Sequence, residues 1–186
     1  MTSNSENTED MGADIEDAYR YLLWRRAPVM SPHYFGRILW VMLNPSTADW
    51  RLDDPTIRKV IGFSTRWEFH EVRVVNLCAL RSTDPSGLDN KTIDVVGARN
   101  IQTIQDELTK ADRVVLAWGA NAETRVEAKR MAAVVQGLVK EACLKPHTDV
   151  VVLGRTKGGS PKHPLMLSYQ TKLEWVRTSE RRGQRP

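Results

Sequence analysis

Cysteine is scarce in this chain: two among 186 residues, Cys78 and Cys143, far apart and both in apolar surroundings. Such a pair builds neither a disulfide framework nor a metal site, so a reducing cytoplasmic compartment is the expectation. Long apolar runs are missing as well. None approaches the roughly 20 residues of a membrane span, and the polar, acidic N-terminus lacks the apolar core of a signal peptide. The glycines follow neither the dinucleotide fingerprint nor the P-loop pattern. No Gly-x-Ser-x-Gly elbow occurs, and no internal repeat. Cys78 follows an apolar run without a charged activating partner, so it reads as a core thiol. No metal or cofactor is expected, and no membrane partner.

What is present is an ordinary domain's worth of interspersed charged and apolar residues. Lys and Arg number 27 against 23 Asp and Glu, a formal net charge of +4. That mild excess is compatible with a polyanion partner without demanding one. Residues 1–14 are polar and read as a disordered tail, and residues 177–186 as a basic one. Residues 15–176 make a single domain, expected to be a monomer.

Inside it, apolar runs alternate with helical patterns. Ile38 to Leu43, Val72 to Leu77, Arg113 to Trp118 and Asp149 to Leu153 read as buried strands. Ala18 to Arg26 is an edge strand or a short helix, and Pro28 to Gly36 a loop. Asp54-Pro55 has the form of an N-cap followed by proline at the first helical position, opening a helix to Trp67. Further helices are predicted over Asp94 to Lys110, Glu123 to Lys140 and Leu165 to Trp175. The alternation predicts an α/β fold, three layers α/β/α around a central four-stranded parallel sheet.

Parallel strands point their carboxyl ends one way, where ligands bind in open α/β sheets. Three segments should therefore meet. The first is Asn44-Pro45-Ser46-Thr47, in which Pro45 stops the strand and Asn44 stands on its rigid end. A turn in which Asn44 bonds only its own backbone is the competing account. The second runs from Asn76 to Arg81. The third is the loop from Gly154 to His163, with Arg155, Lys157, Gly158 and Lys162. A flexible cationic loop with bare backbone N–H groups suits phosphate oxygens; a solvated surface loop is the alternative. His163 lies beside Lys162, whose charge should discourage protonation, and a neutral imidazole still donates one hydrogen bond. It competes with a histidine that only caps the next helix.

These segments, taken in order, resemble the uracil-DNA glycosylase superfamily. Leu43-Asn44-Pro45-Ser46 is similar to the water-positioning motif of its mismatch-specific and single-strand-selective branches. Val75-Asn76-Leu77-Cys78-Ala79-Leu80-Arg81 resembles the segment whose Asn reads the flipped base. Val114 to Ala122 is similar to the Trp-Gly strand, and His163-Pro164-Leu165 to the His-Pro-Ser motif. Leu165 replaces the Ser, Ser46 replaces a Gly or Tyr, and no four-cysteine set exists, which excludes the iron–sulfur branches. Trp40 to Ser168 also resembles a bacterial and phage family described only as a domain of unknown function. Its members read Leu-Asn-Pro-Ser-Thr-Ala-Asp, Asp-Asp-Pro-Thr-Ile, Asn-Leu-Phe-Ala-Leu-Arg and Pro-Lys-His-Pro-Leu.

The resemblance implies a glycosylase-like fold and a DNA glycosylase that flips and excises a damaged or modified base. Asn44 would position water and His163 would stabilise the leaving base. Asp53 or Asp54 is the carboxylate available as a base, and Asp53 is preferred because capping at Pro55 claims Asp54. Asn76 would read the base edge, with Pro45 and Ser46 beside it. Thr47, Arg81, Arg155, Lys157, Gly158 and Lys162 would hold the DNA, and Leu165 would fill the vacated stack. A hypermodified phage pyrimidine such as glucosylated hydroxymethylcytosine is the substrate this suggests, in antiviral defence. A non-catalytic nucleic-acid-binding module and a small-molecule nucleotide hydrolase are the rival functions.

Overall fold

The computed structural model describes residues 10–26, 35–140 and 148–177. One mixed sheet of seven strands runs through them, in the spatial order β1-β2-β4-β3-β5-β6-β7. The strands are β1 Met11–Glu16, β2 Tyr19–Arg26, β3 Phe35–Met42, β4 Phe69–Asn76, β5 Arg113–Leu116, β6 Asp149–Val152 and β7 Glu174–Arg177. The four central strands, β4-β3-β5-β6, are parallel, in the predicted set of apolar runs. The flanking pairs β1–β2, β2–β4 and β6–β7 are antiparallel.

Continuous β-branched runs form the centre because both faces of those strands are covered. Along β3, Leu39 and Val41 pack on one face and Ile38, Trp40 and Met42 on the other. Helix α1, Pro55–Arg66, covers the second face through Ile57, Val60 and Phe63. Helices α2, Asn100–Lys110, and α3, Val126–Lys140, cover the first through Ile104, Leu108, Met131 and Val135. The chain moves from β3 outward to β4, then reverses to β5 and β6 on the opposite side. Right-handed crossovers then place the helices of the two halves on opposite faces.

Helix α1 starts as its sequence predicts. The Asp54 carboxylate accepts the Ile57 N–H at 2.8 Å, and Pro55 occupies the first turn. Trp40 is fully buried against α1, and its indole N–H reaches the Ser64 hydroxyl at 3.0 Å. Truncating such a residue costs about 3–5 kcal/mol.

Several boundaries differ from expectation. Residues 11–14 are strand, not tail: Ala13 is buried and β1 pairs with β2. Its acidic residues are neutralised by Arg99, which bonds Asp14 and Glu16 at 3.1–3.2 Å. The stretch Ala18 to Arg26 is therefore a strand flanked by another. Helix α2 begins only at Asn100, because Asp94 turns the chain by accepting the Val96 N–H at 3.0 Å. Helix α3 begins at Val126, after a 3-10 turn at Ala120–Glu123. Leu165 to Trp175 is no helix: a 3-10 turn at Pro164–Met166 leads to β7, which pairs with the open edge of β6. Most of the Pro28–Gly36 segment, Cys143 and the extreme termini lie outside the described residues; Gly36 belongs to β3. No helix among the described residues is long and apolar enough to cross a membrane.

Candidate functional site

The reversal of strand order lies between β3 and β5, and open α/β sheets bind ligands outside the carboxyl ends at such a point. A cavity of about 490 Å³ opens there. Small-molecule sites commonly span about 300–1,000 Å³. It brings together Asn44, Ser46, Thr47, Asn76, His163 and Leu165, all named from the sequence. Among the other residues that line it are Asp54, Arg20 and Trp118. A larger concavity of about 660 Å³ lies between residues 88–95 and the start of α3. It holds no histidine and none of the post-strand residues, which line the smaller cavity instead.

Asn44 stands just beyond β3, and its amide is held at one end. Its Nδ2 donates to the Pro45 carbonyl at 3.0 Å and the Ser82 carbonyl at 2.8 Å. Two carbonyls demand the N–H₂ group, so the side-chain oxygen is the atom left for a ligand. Ser82 in turn donates its backbone N–H to the Pro45 carbonyl at 2.9 Å. Pro45 itself is buried and does not line the cavity, so it is a structural tie rather than a base contact.

His163 reaches the cavity through Gly119. That residue has φ +77°, and an added Cβ would stand 3.0 Å from the His163 Cβ. The Gly119 N–H also binds the Pro161 carbonyl at 2.8 Å, fixing the approach of His163. The imidazole Nδ1 accepts the Leu165 N–H at 3.4 Å, capping the 3-10 turn. Capping and chemistry are thus compatible: with Nδ1 an acceptor, the neutral ring carries its proton on Nε2. Burial pushes its pKa below the usual histidine value, with Asp54 opposing. Desolvation, not a neighbouring cation, keeps this ring neutral.

The carboxylate in the cavity is Asp54, not Asp53. Asp53 bonds Arg25 at 2.9 Å and is held in a salt bridge outside the cavity. Asp54 uses one oxygen for its cap, and capping leaves the second oxygen available.

Asn76 ends β4 and is 2% exposed. Asn100 braces it from behind, donating to the Asn76 and Leu77 carbonyls at 3.0 Å each. Arg20, at the start of β2, donates to the Ala48 carbonyl at 2.8 Å and to Asn76 Oδ1 at 3.5 Å. Burial lowers the Arg20 pKa to about 10. The sequence signal for Arg20 was its place in the Tyr-Arg-Tyr-Leu-Leu-Trp-Arg-Arg strand, where Arg20 and Arg25 both turn inward. Arg81 is half-buried, does not line the cavity, and is close enough to lower the Arg20 pKa. The Cys78 thiol is fully buried and pushed up to about 12, first by desolvation, which fits a core thiol.

The cationic loop is folded differently from expectation. Arg155 bridges to Pro161, and Thr156 and Ser160 close a tight turn. The Glu123 carboxylate sits inside that turn, accepting from the Thr156 hydroxyl and from the Ser160 N–H at 3.4 Å. Space above Gly158 is taken by the same carboxylate. The concavity that would cradle a phosphate already holds an anion, which corrects the bare-backbone expectation. Arg155, Lys157 and Lys162 remain exposed on the outside of the loop and do not line the cavity. Leu165, which lines the cavity, is 40% exposed, and the next residue, Met166, 89%. No cluster of metal-ligating side chains occurs among the described residues.

The chain belongs to the family described as Protein of unknown function (DUF1643), which matches residues 20–165. Both ends of the match, Arg20 and Leu165, line the cavity. No curated protein and no solved structure matches the chain.

Proposed function

We propose that the protein is a monofunctional DNA glycosylase, acting on a flipped, modified base in the cavity at the end of β3. The observation that carries this reading is the grouping there of a neutral His163, the anchored Asn44 amide and the Asp54 carboxylate. Flipping a nucleotide costs a few kcal/mol, least for a weakly paired base. The bond from the sugar C1′ to the base nitrogen then breaks, and its electron pair leaves with the base. His163 Nε2–H donates to the charge developing on that base, worth roughly 3 kcal/mol for a well-placed donor. Asn44 Oδ1 and Asp54 orient the water that attacks C1′, and its proton passes through Asp54 to solvent. Asn76 reads the base edge. Arg155, Lys157 and Lys162 hold phosphates, and Leu165 with Met166 fills the vacated stack.

The fold supports a kinship with uracil-DNA glycosylases through its parallel centre and the order of its motifs. The departures at Ser46 and Leu165 favour a base other than uracil. Hypermodified phage pyrimidines, glucosylated hydroxymethylcytosine among them, are the proposed substrates, with antiviral defence as the setting. The test is a panel of duplexes carrying different modified bases, followed by alkaline cleavage at abasic sites. Strand cleavage at one modified base supports the reading. Tight binding without cleavage on any duplex would replace it with a binding module. Hydrolysis of free nucleotides alone would replace it with a small-molecule hydrolase.

A further inference from the structure

Arg20 is an unusual group to find on the wall of a cavity. It is 2% exposed, and no carboxylate among the described residues lies within ion-pair distance of it. Its guanidinium has only neutral acceptors, the Ala48 carbonyl at 2.8 Å and Asn76 Oδ1 at 3.5 Å, and Nε has none. A guanidinium cannot accept a hydrogen bond, so the Asn76 amide can face it only with oxygen. Turning that amide around would set N–H₂ against a buried cation already short of acceptors. Neither partner is free to drift. The Ala48 carbonyl holds Arg20, and the Asn100 amide pins the backbone of Asn76 at 3.0 Å.

We propose that Arg20 is a positioning residue that sets base specificity by holding the oxygen of Asn76 and turning its N–H₂ into the cavity. The proposal rests on the reading of this cavity as a base pocket. A donor at that position pairs with a ring nitrogen that accepts, as N3 of a cytosine-type base does. It opposes an N3–H, as in uracil-type bases, since two donors then face each other. A site built to hydrogen-bond one edge rejects the mismatched edge strongly, because buried polar groups are left unpaired. Arg20 touches no substrate atom in this scheme; it acts through Asn76.

The experiment uses the full chain and single-turnover-resistant duplexes carrying 2′-fluoro nucleotides. Cytosine and uracil members are matched by 5-substituent (hydrogen, hydroxymethyl and glucosylated hydroxymethyl) and placed opposite an abasic position, so that pairing does not decide. Wild type should bind the cytosine member about tenfold tighter or more, for whichever substituent binds best. Arg20→Met should narrow that ratio to within about threefold. A merely structural loss would weaken both members and keep the ratio. Should Arg20→Met not fold, the side-chain amide resonances of Asn76 in wild type decide instead. They should shift with the cytosine duplex and stay in place with the uracil one. A missing or inverted preference, a preference that survives Arg20→Met, an unmoved Asn76 amide, or no binding of either member overturns the proposal. Preference without excision from the unfluorinated duplexes sinks the glycosylase reading alone. Excision without preference sinks this inference alone.

Discussion

Exchanging Asn44 for Asp looks conservative, and for a water-activating residue it even resembles an improvement. The geometry says otherwise. The amide nitrogen faces the Pro45 carbonyl at 3.0 Å and the Ser82 carbonyl at 2.8 Å. Asn44→Ala loses both bonds, at about 1 kcal/mol each, or about 2 kcal/mol together. Asn44→Asp loses the same two and aims a carboxylate oxygen at two carbonyl oxygens. Leaving a charged group so opposed adds about 1–3 kcal/mol. For a chain of this size each kcal/mol moves Tm by about 2–4 °C. Asn44→Ala should thus melt about 4–8 °C below wild type, and Asn44→Asp roughly 10 °C below. The two should converge in acid. The new carboxyl is easier to protonate folded than unfolded, so its folded pKa is raised. The penalty is then full above the folded pKa and vanishes below the unfolded value of about 3.9. Thermal melts followed by tryptophan fluorescence at pH 7.5 and at a pH below about 3.9 measure both effects. An Asp variant that melts with wild type at pH 7.5, or no lower than the Ala variant, would refute the anchored amide. So would a stable Asp variant with faster base release.

Other expectations follow from the same contacts. His163 has a lowered folded pKa, so the unfolded chain takes up its proton more readily. Wild-type stability should therefore fall as pH drops through about 6.5, and His163→Gln should remove that slope from the melts. The same variant should slow single-turnover base release by roughly 100- to 1,000-fold, as for loss of one oxyanion-type donor. Tyr169 lies between Lys59 and Arg66, at 4.0 and 3.9 Å from its ring, and meets Phe63 edge-on at 4.9 Å. Tyr169→Ala should cost about 2 kcal/mol and weaken binding to an abasic duplex by loosening the turn that carries Leu165. An unchanged melt would show that the turn is held elsewhere. Replacing Lys157 and Lys162 by Ala should flatten the log–log salt dependence of DNA binding by about two units. An unaltered slope would send the DNA to another face.

The central strands were legible because both faces are buried, which makes each a continuous apolar run whatever its neighbours. Helix α1 was legible from Asp54 and Pro55, a cap with a local cause. The edges were not. Met11-Gly-Ala-Asp reads as part of a polar tail until Arg99, far along the chain, supplies a counter-charge to Asp14 and Glu16. Strand β7 likewise exists because the edge of β6 needs a partner, which no local pattern reveals. Within the cavity, Asn44, Asn76 and His163 were placed by strand ends alone. Asp53, preferred because a cap claims Asp54, lies outside the cavity; the cap uses one carboxylate oxygen of Asp54 and leaves the other, a fact of stoichiometry rather than spacing. Glu123 was invisible for a similar reason. Its partner hydroxyl on Thr156 lies 33 positions away, and composition alone makes that loop look purely cationic.

Because the cavity draws on residues from Arg20 to Leu165, it is also a clock on synthesis. A ribosome adding roughly 5–20 residues per second needs on the order of ten to thirty seconds to pass from Arg20 to His163. For most of that interval, once Asp54 has been added, the nascent chain carries Asn44 and Asp54 but not the His163 imidazole or the turn that complete the wall. Helix α1 and strands β3 and β4 can assemble early, since their contacts lie close in sequence. The finished pocket comes only with the last quarter of the chain. A truncated translation product would then lack the finished cavity, whatever part of it has folded.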